Sequence, residues 1–157
     1  LTSIMSTTGN PTLPSATPAA SAALLSAAGT KLEEVLARAV TVARATSGSA
    51  FPVTDAEIRQ RAQADFERSF YPVGVARHMA AIAATGNRKP RLQTLVMPTL
   101  VLHGKDDPLV PLTGGIDTHE AISGSILKVF EGMGHNLPEP LWPELVLAIS
   151  DHTEQHH

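Results

Sequence analysis

The stretch Thr99-Leu100-Val101-Leu102, at the centre of Val96 to His103, is apolar at every position except its first and carries no polar alternation. A strand with one wet face alternates apolar with polar residues. An unbroken run of this kind reads instead as a strand buried on both faces of a parallel sheet. Such a strand needs cover on both sides, and the residues that follow can provide it. Gly114 to Ile122 reads as a short helix and Ile126 to Glu131 (ILKVFE) as a second strand. Trp142 to His152 reads as a final amphipathic helix built on Leu145, Val146 and Ile149. Strand, helix, strand, helix implies right-handed crossovers in a parallel sheet, and hence an α/β fold.

The residues before this half follow another pattern. Leu1 to Ser6 (LTSIMS) is short and β-compatible, and Thr7-Thr8-Gly9-Asn10-Pro11 stops it. Thr12 to Gly86 is helical throughout. Thr17 before Pro18 resembles an N-cap with proline at the first helical position, and Gly29 is a fitting stop. Thr30-x-x-Glu33 reads as a capping box ahead of Leu32, Val35, Leu36, Ala39 and Val42, which share one helical face, and Ser47-Gly48-Ser49 ends that helix. A second box, Thr54-x-x-Glu57, opens a helix on Ile58, Ala62, Phe66 and Phe70. Pro72 to Gly86 reads as one more helix, and Asn87 to Arg91 as a basic loop. The expected organisation is a strand and loop over 1–11, a helical insertion over 12–86 and the α/β part over 87–157. The chain opens directly on a strand with a residue other than methionine, which reads as a truncated frame.

Composition narrows the function classes. Of 157 residues 43% are hydrophobic, enough for a core, and the 22 alanines with only 4% aromatics favour packed helices. A net charge of −3 with scattered Lys and Arg argues against nucleic-acid binding. The absence of cysteine removes disulfides and thiolate chemistry and fits a cytoplasmic location. The first charge is Lys31, and Pro11, Pro14 and Pro18 interrupt the uncharged leader, so neither a signal peptide nor a membrane span is expected.

In open α/β sheets reactive groups collect just beyond the C-terminal ends of strands. Two loops lie there, His103-Gly104-Lys105-Asp106-Asp107-Pro108-Leu109-Val110-Pro111 and Gly132-Met133-Gly134-His135-Asn136. A carboxylate and an imidazole presented from neighbouring strand ends can hydrogen-bond, the acid fixing the tautomer of a histidine that removes a proton from a nucleophile. Several plainer roles compete. His103 reads as structural, His152 and His156 beside His157 as a solvated tail, and Met133 and Trp142 as core residues. Asp106, Asp107, His103 and His135 could also hold a metal, although their spacing matches no recognised ligand set.

The stretch Leu92-x-x-Leu95-x-x-Pro98-Thr99-Leu100-Val101-Leu102-His103-Gly104-x-x-Asp107-x-x-Val110-Pro111 resembles the penultimate core strand and acid loop of the α/β-hydrolases. Gly132-x-Gly134-His135 resembles their histidine loop. The similarity runs the length of the chain and is greatest to esterases of the aclacinomycin-methylesterase kind. It implies a partial α/β-hydrolase fold of parallel strands with crossover helices plus a helical lid over 12–86. It also implies that Asp107 is the triad acid and His135 the general base, with Asp106 only a neighbour. The family places its nucleophile in G-x-S-x-G before the lid, and no such segment occurs here. Ser47-Gly48-Ser49 and Ser123-Gly124-Ser125 read as helix stops.

The expected function is therefore that of a serine esterase acting on a small carboxylic ester or lactone through an acyl-enzyme. It needs no cofactor and lacks its nucleophile-bearing half. The alternative is a non-catalytic fragment that binds a partner. Expected partners are an ester substrate after complementation and either a chain supplying the N-terminal half or a second copy. The strand at Leu1 should be an uncovered edge, and Ile4, Met5, Leu100 and Leu102 should lie exposed on the strand faces.

Overall fold

A computed structural model describes residues 1–27 and 29–156; Ala28 and the terminal His157 lie outside the described residues. The order is β1 (Thr2–Ile4), α1 (Pro18–Leu25), α2 (Leu32–Thr46), α3 (Asp55–Arg68), α4 (Pro72–Thr85), α5 (Lys89–Leu92), β2 (Leu100–Gly104), α6 (Leu112–Ala121), β3 (Ile126–Phe130) and α7 (Trp142–Glu154). The three strands form one parallel sheet in the order β1-β2-β3. Ser3 stands opposite Val101 in the register, and Val101 opposite Leu127. This is the expected α/β arrangement, with five helices, α1 to α5, between β1 and β2.

Every residue of β2 is buried, as its unbroken apolar run requires. Alternation along the strand sends Val101 and His103 to one face and Leu100 and Leu102 to the other. Helix α6 covers the first face, where Gly115 lies against the His103 ring. Helix α7 covers the second, where Leu100, Leu102, Phe130, Met133 and Leu145 form the core, flanked by Ile4, Met5, Ala148 and Ile149. Leu100 and Leu102, expected to be exposed, are thus buried within this chain, because α7 folds back over the sheet. The inner face of α7 is Leu145, Ala148, Ile149 and His152; Val146, expected there, is 61% exposed. His152 is buried and meets His156 edge to face, so it is not part of a solvated tail. Val96 is 98% exposed, and the strand starts four residues later than its apolar sequence suggests.

Local signals set most helix ends. Thr17 accepts the Ala20 N–H at 3.2 Å and starts α1, which stops at Leu25, before Gly29, where Ser26 donates to the Ala23 carbonyl. Arg38 also donates to the Leu24 and Ser26 carbonyls, tying α1 to α2. The N-terminus of α2 uses Glu34, not the expected Glu33: its carboxylate accepts the N–H groups of Thr30 and Lys31. The box at Thr54 and Glu57 forms as read, and the Thr54 hydroxyl and amide hold the Glu57 carboxyl below its usual range. The expected basic loop contains the helical turn α5. No described helix is long and apolar enough to cross a membrane.

The two ends of the helical insertion meet over α6. Arg88 donates its amide N–H to the Thr8 carbonyl at 2.7 Å and its guanidinium N–H to the Thr7 carbonyl. Beneath them Asp117 accepts from the buried Thr8 hydroxyl and from Lys89, both at 2.5 Å. Burial pushes the Asp117 carboxyl up, but the hydrogen bonds from Lys89 and Thr8 outweigh it and leave the group below its ordinary range. A carboxylate whose folded pKa is depressed stabilises fully above its unfolded pKa, and that contribution is lost as pH falls through the folded value. Asp117→Ala, which strands the Thr8 hydroxyl, should cost about 1–3 kcal/mol at neutral pH. It should also flatten the loss of stability below about pH 4. Denaturant unfolding at a series of pH values checks both; an unchanged acid limb would remove Asp117 as its cause.

Candidate functional site

The acid loop leaves β2 at Gly104 and is held to β3 before it reaches Asp107. Lys105 N–H donates to the Phe130 carbonyl at 2.9 Å, and Asp106 N–H to the Met133 carbonyl at 3.0 Å. The Lys105 ammonium pairs with Glu131, whose hydrogen bond raises it above the usual lysine range. Gly104 lies so close to the Met133 and Gly134 carbonyls that any side chain there would collide with them. On the other strand Gly132 has φ +70°, a left-handed turn that brings Met133 into the core and His135 back towards the acid loop.

The Asp107 side chain is fully buried, and both of its oxygens are used. Oδ1 accepts the backbone N–H groups of Leu109 and Val110, at 2.9 and 2.8 Å. Oδ2 accepts from Nδ1 of His135 at 2.7 Å. An ionised carboxylate only accepts, so this contact places the His135 proton on Nδ1 and leaves Nε2 as the free lone pair on a partly exposed ring. Asp106 makes a different contact, accepting from the Ser49 hydroxyl. The structure thus brings Asp107 and His135 together, and Asp106 stands apart from the pair.

One contact has no counterpart in the sequence reading. The segment from Thr46 to Ala50, whose Ser47-Gly48-Ser49 reads in the sequence as a helix stop, lies along the histidine loop. His135 N–H donates to the Thr46 carbonyl at 2.8 Å, and Ala50 N–H to the Gly132 carbonyl at 3.2 Å. Gly48 packs against Gly132, Met133 and Gly134 with no room for a methyl group. Gly48 carried this in the sequence, but a lone glycine between serines reads first as a turn. A cavity of about 510 Å³ opens between α2, α3 and this segment, walled by Val42, Ala43, Phe51, Val53 and Ile58 on one part and by Arg38, Arg44, Arg61 and Asp65 on another, and reaching Asn136 beside His135. Met133 is core as expected, whereas Trp142 is half-exposed with its indole N–H on the Leu137 carbonyl. His103 is enclosed beside the acid loop. Among the described residues no group of three or more His, Asp or Glu side chains is placed to hold a metal ion.

Solved structures share this fold. An esterase from Rhodococcus sp. superposes with a TM-score of 0.64 at 21% identity, over 91% of this chain and 50% of its own. A 2-hydroxy-6-oxo-6-phenylhexa-2,4-dienoate hydrolase from Rhodococcus sp. gives 0.66 at 21% identity, over 98% and 54%. A thermophilic esterase from Thermogutta terrifontis gives 0.62 at 24% identity, over 100% and 56%. The fold is that of the α/β-hydrolases. This chain spans about half the length of the α/β-hydrolases it matches. No family model matches its sequence, and no curated protein sequence does. Within this α/β-hydrolase fold, Gly48→Ala should push the Thr46 to Ala50 segment off the histidine loop at a cost of about 1–3 kcal/mol. Thermal unfolding and faster amide exchange at His135 would record it; unaltered exchange would mean that the segment does not restrain the loop.

Proposed function

We propose that this chain supplies the acid and the general base of a serine esterase whose nucleophile comes from a segment outside it. The carrying observation is the 2.7 Å contact between Asp107 and His135, with the other carboxylate oxygen already committed to two backbone amides. In this reading the buried carboxylate orients the imidazole and stabilises the imidazolium that forms when Nε2 takes the proton of a serine hydroxyl. The serine attacks the ester carbonyl, His135 returns the proton to the departing alcohol, and the same ring then activates the water that releases the acid. Residues 12–86 act as a lid, and the cavity beside Asn136, with its apolar wall of Val42, Ala43, Phe51, Val53 and Ile58, suits the acyl or alcohol part of a small carboxylic ester or lactone. The chemistry requires no cofactor. A non-catalytic, partner-binding role is the second reading, favoured by the lack of a G-x-S-x-G segment in this sequence.

On p-nitrophenyl acetate this chain by itself should show background turnover only. Addition of a chain carrying a nucleophile elbow and oxyanion hole on strands that pair with β1 should restore activity. His135→Ala should then remove it by roughly 10⁴-fold or more. Complementation that fails with a correctly assembled complex would favour the non-catalytic reading, and turnover by this chain alone that vanished on mutating Ser47 or Ser49 would relocate the nucleophile.

The sheet generates a separate expectation. Among the described residues β1 pairs only with β2, so its outer N–H and C=O groups form an open edge, beside the exposed Leu1. Sedimentation should show concentration-dependent self-association that the complementing chain suppresses. A monomer at all concentrations would mean that the edge does not recruit a second copy.

A further inference from the structure

His103 is fully buried at the end of β2, and its ring carries a single hydrogen bond. Nε2 donates to the Val110 carbonyl at 2.8 Å. A carbonyl only accepts, so the ring proton sits on Nε2. Nδ1 is buried without a partner and faces the backbone of α6 at Gly115, where any side chain would strike the ring. A buried imidazole nitrogen without a partner costs stability that an aliphatic side chain of similar size would avoid. Its presence points to the work done by the other nitrogen.

That work is at Val110. The Val110 N–H donates to Asp107 Oδ1, and the Val110 carbonyl accepts from His103, so both polar groups of one residue are fixed, one to the acid and one to the strand. Leu109 N–H completes the pair on Oδ1. With Oδ1 taking two backbone donors, Oδ2 is left directed at His135. The His103 Nε2 is itself 3.8 Å from Oδ2, too far for a hydrogen bond and near enough to add a favourable dipole beside the charge.

From this geometry we infer that His103 is a positioning residue for the Asp107–His135 pair: its Nε2–H holds the Val110 carbonyl, and through it the loop that fixes which carboxylate oxygen the base receives. The catalytic meaning of this rests on the esterase reading above, whereas the positioning itself does not. The Gly115 contact sets the ring's place, since α6 can approach only over a residue without a side chain.

The test reads histidine tautomers and proton exchange by ¹⁵N–¹H NMR on this chain, with no substrate. In the unmodified chain His103 should carry its proton on Nε2 and His135 on Nδ1, with the His135 Nδ1–H in slow exchange. His103→Phe keeps the ring volume and removes the donor; the His135 Nδ1–H should exchange faster by about tenfold or lose its single tautomer, as expected for loss of one hydrogen bond. His103→Gln, whose amide N–H can reach the same carbonyl, should retain the original signature. Gly115→Ala, a change that ordinarily favours a helix, should displace the ring and reproduce the phenylalanine result. A proton found on Nδ1 of His103 in the unmodified chain overturns the inference without any variant, even if His103→Phe does not fold. A folded phenylalanine variant with an unchanged His135 signal overturns it too, as does a glutamine variant no better than phenylalanine. Absence of esterase activity on complementation would count against the esterase reading and leave these spectra, and the positioning, intact.

Discussion

Burial of β2 on both faces is the constraint from which the remaining geometry follows. A strand of Leu100 to Gly104 with no wet face must receive a helix on each side, and α6 and α7 supply them. Once both helices are seated, the ends of β2 and β3 are fixed relative to each other, and the backbone bonds from Lys105 to Phe130 and from Asp106 to Met133 extend their ladder into the two loops. Asp107 and His135 then meet because the framework beneath them is nearly rigid at that point. Loop residues placed by a rigid scaffold are where chemistry tends to collect.

The electrostatics of the pair depend on peptide groups more than on charged neighbours. Among the described residues no lysine or arginine pairs with the buried Asp107. Its charge is met instead by two amides of its own loop and by the imidazole. The two amides do not titrate, so the support they give persists across the pH range in which a histidine changes charge. Asp106, one residue earlier, is exposed and bonded to a serine, which shows how closely backbone direction after a strand selects between adjacent carboxylates.

Much of this was legible in the residues. The apolar run of β2, the spacing from Gly104 to Asp107 and the glycines flanking Met133 each encode a local requirement, and local requirements can be read from sequence. What escaped was set by tertiary contact. Val146 and Ala148 both fit the apolar pattern of α7, and only the position of the sheet decides that Ala148 faces it. The exposure of Val96 reflects where the ladder with β1 starts, which no single strand records. The bonds from Thr46 and Ala50 to the histidine loop join residues more than eighty positions apart, and the only trace of them in the sequence is the absence of a side chain at Gly48. Glu34 displaced Glu33 at the α2 cap because the chain turns one residue later than the capping-box spacing implies.

The meeting of Thr8 and Arg88 over Asp117 gives residues 12–86 the character of a cassette. To the sheet, the whole excursion begins and ends at one place, so material between those points can grow or shrink at a cost that rises only with the logarithm of its length. Among the described residues two backbone tethers limit that freedom: Thr17 N–H on the Pro108 carbonyl at 2.8 Å, and the Thr46 to Ala50 contact with the histidine loop. Beyond Phe51 α3 is held to the α/β part by the exposed Arg61–Glu139 pair at 3.4 Å, and α3 and α4 bury no residue fully. In the lineage of such a protein, α3 and α4 are therefore where duplication, deletion or wholesale replacement would be tolerated, while the first half of the excursion stays yoked to the core.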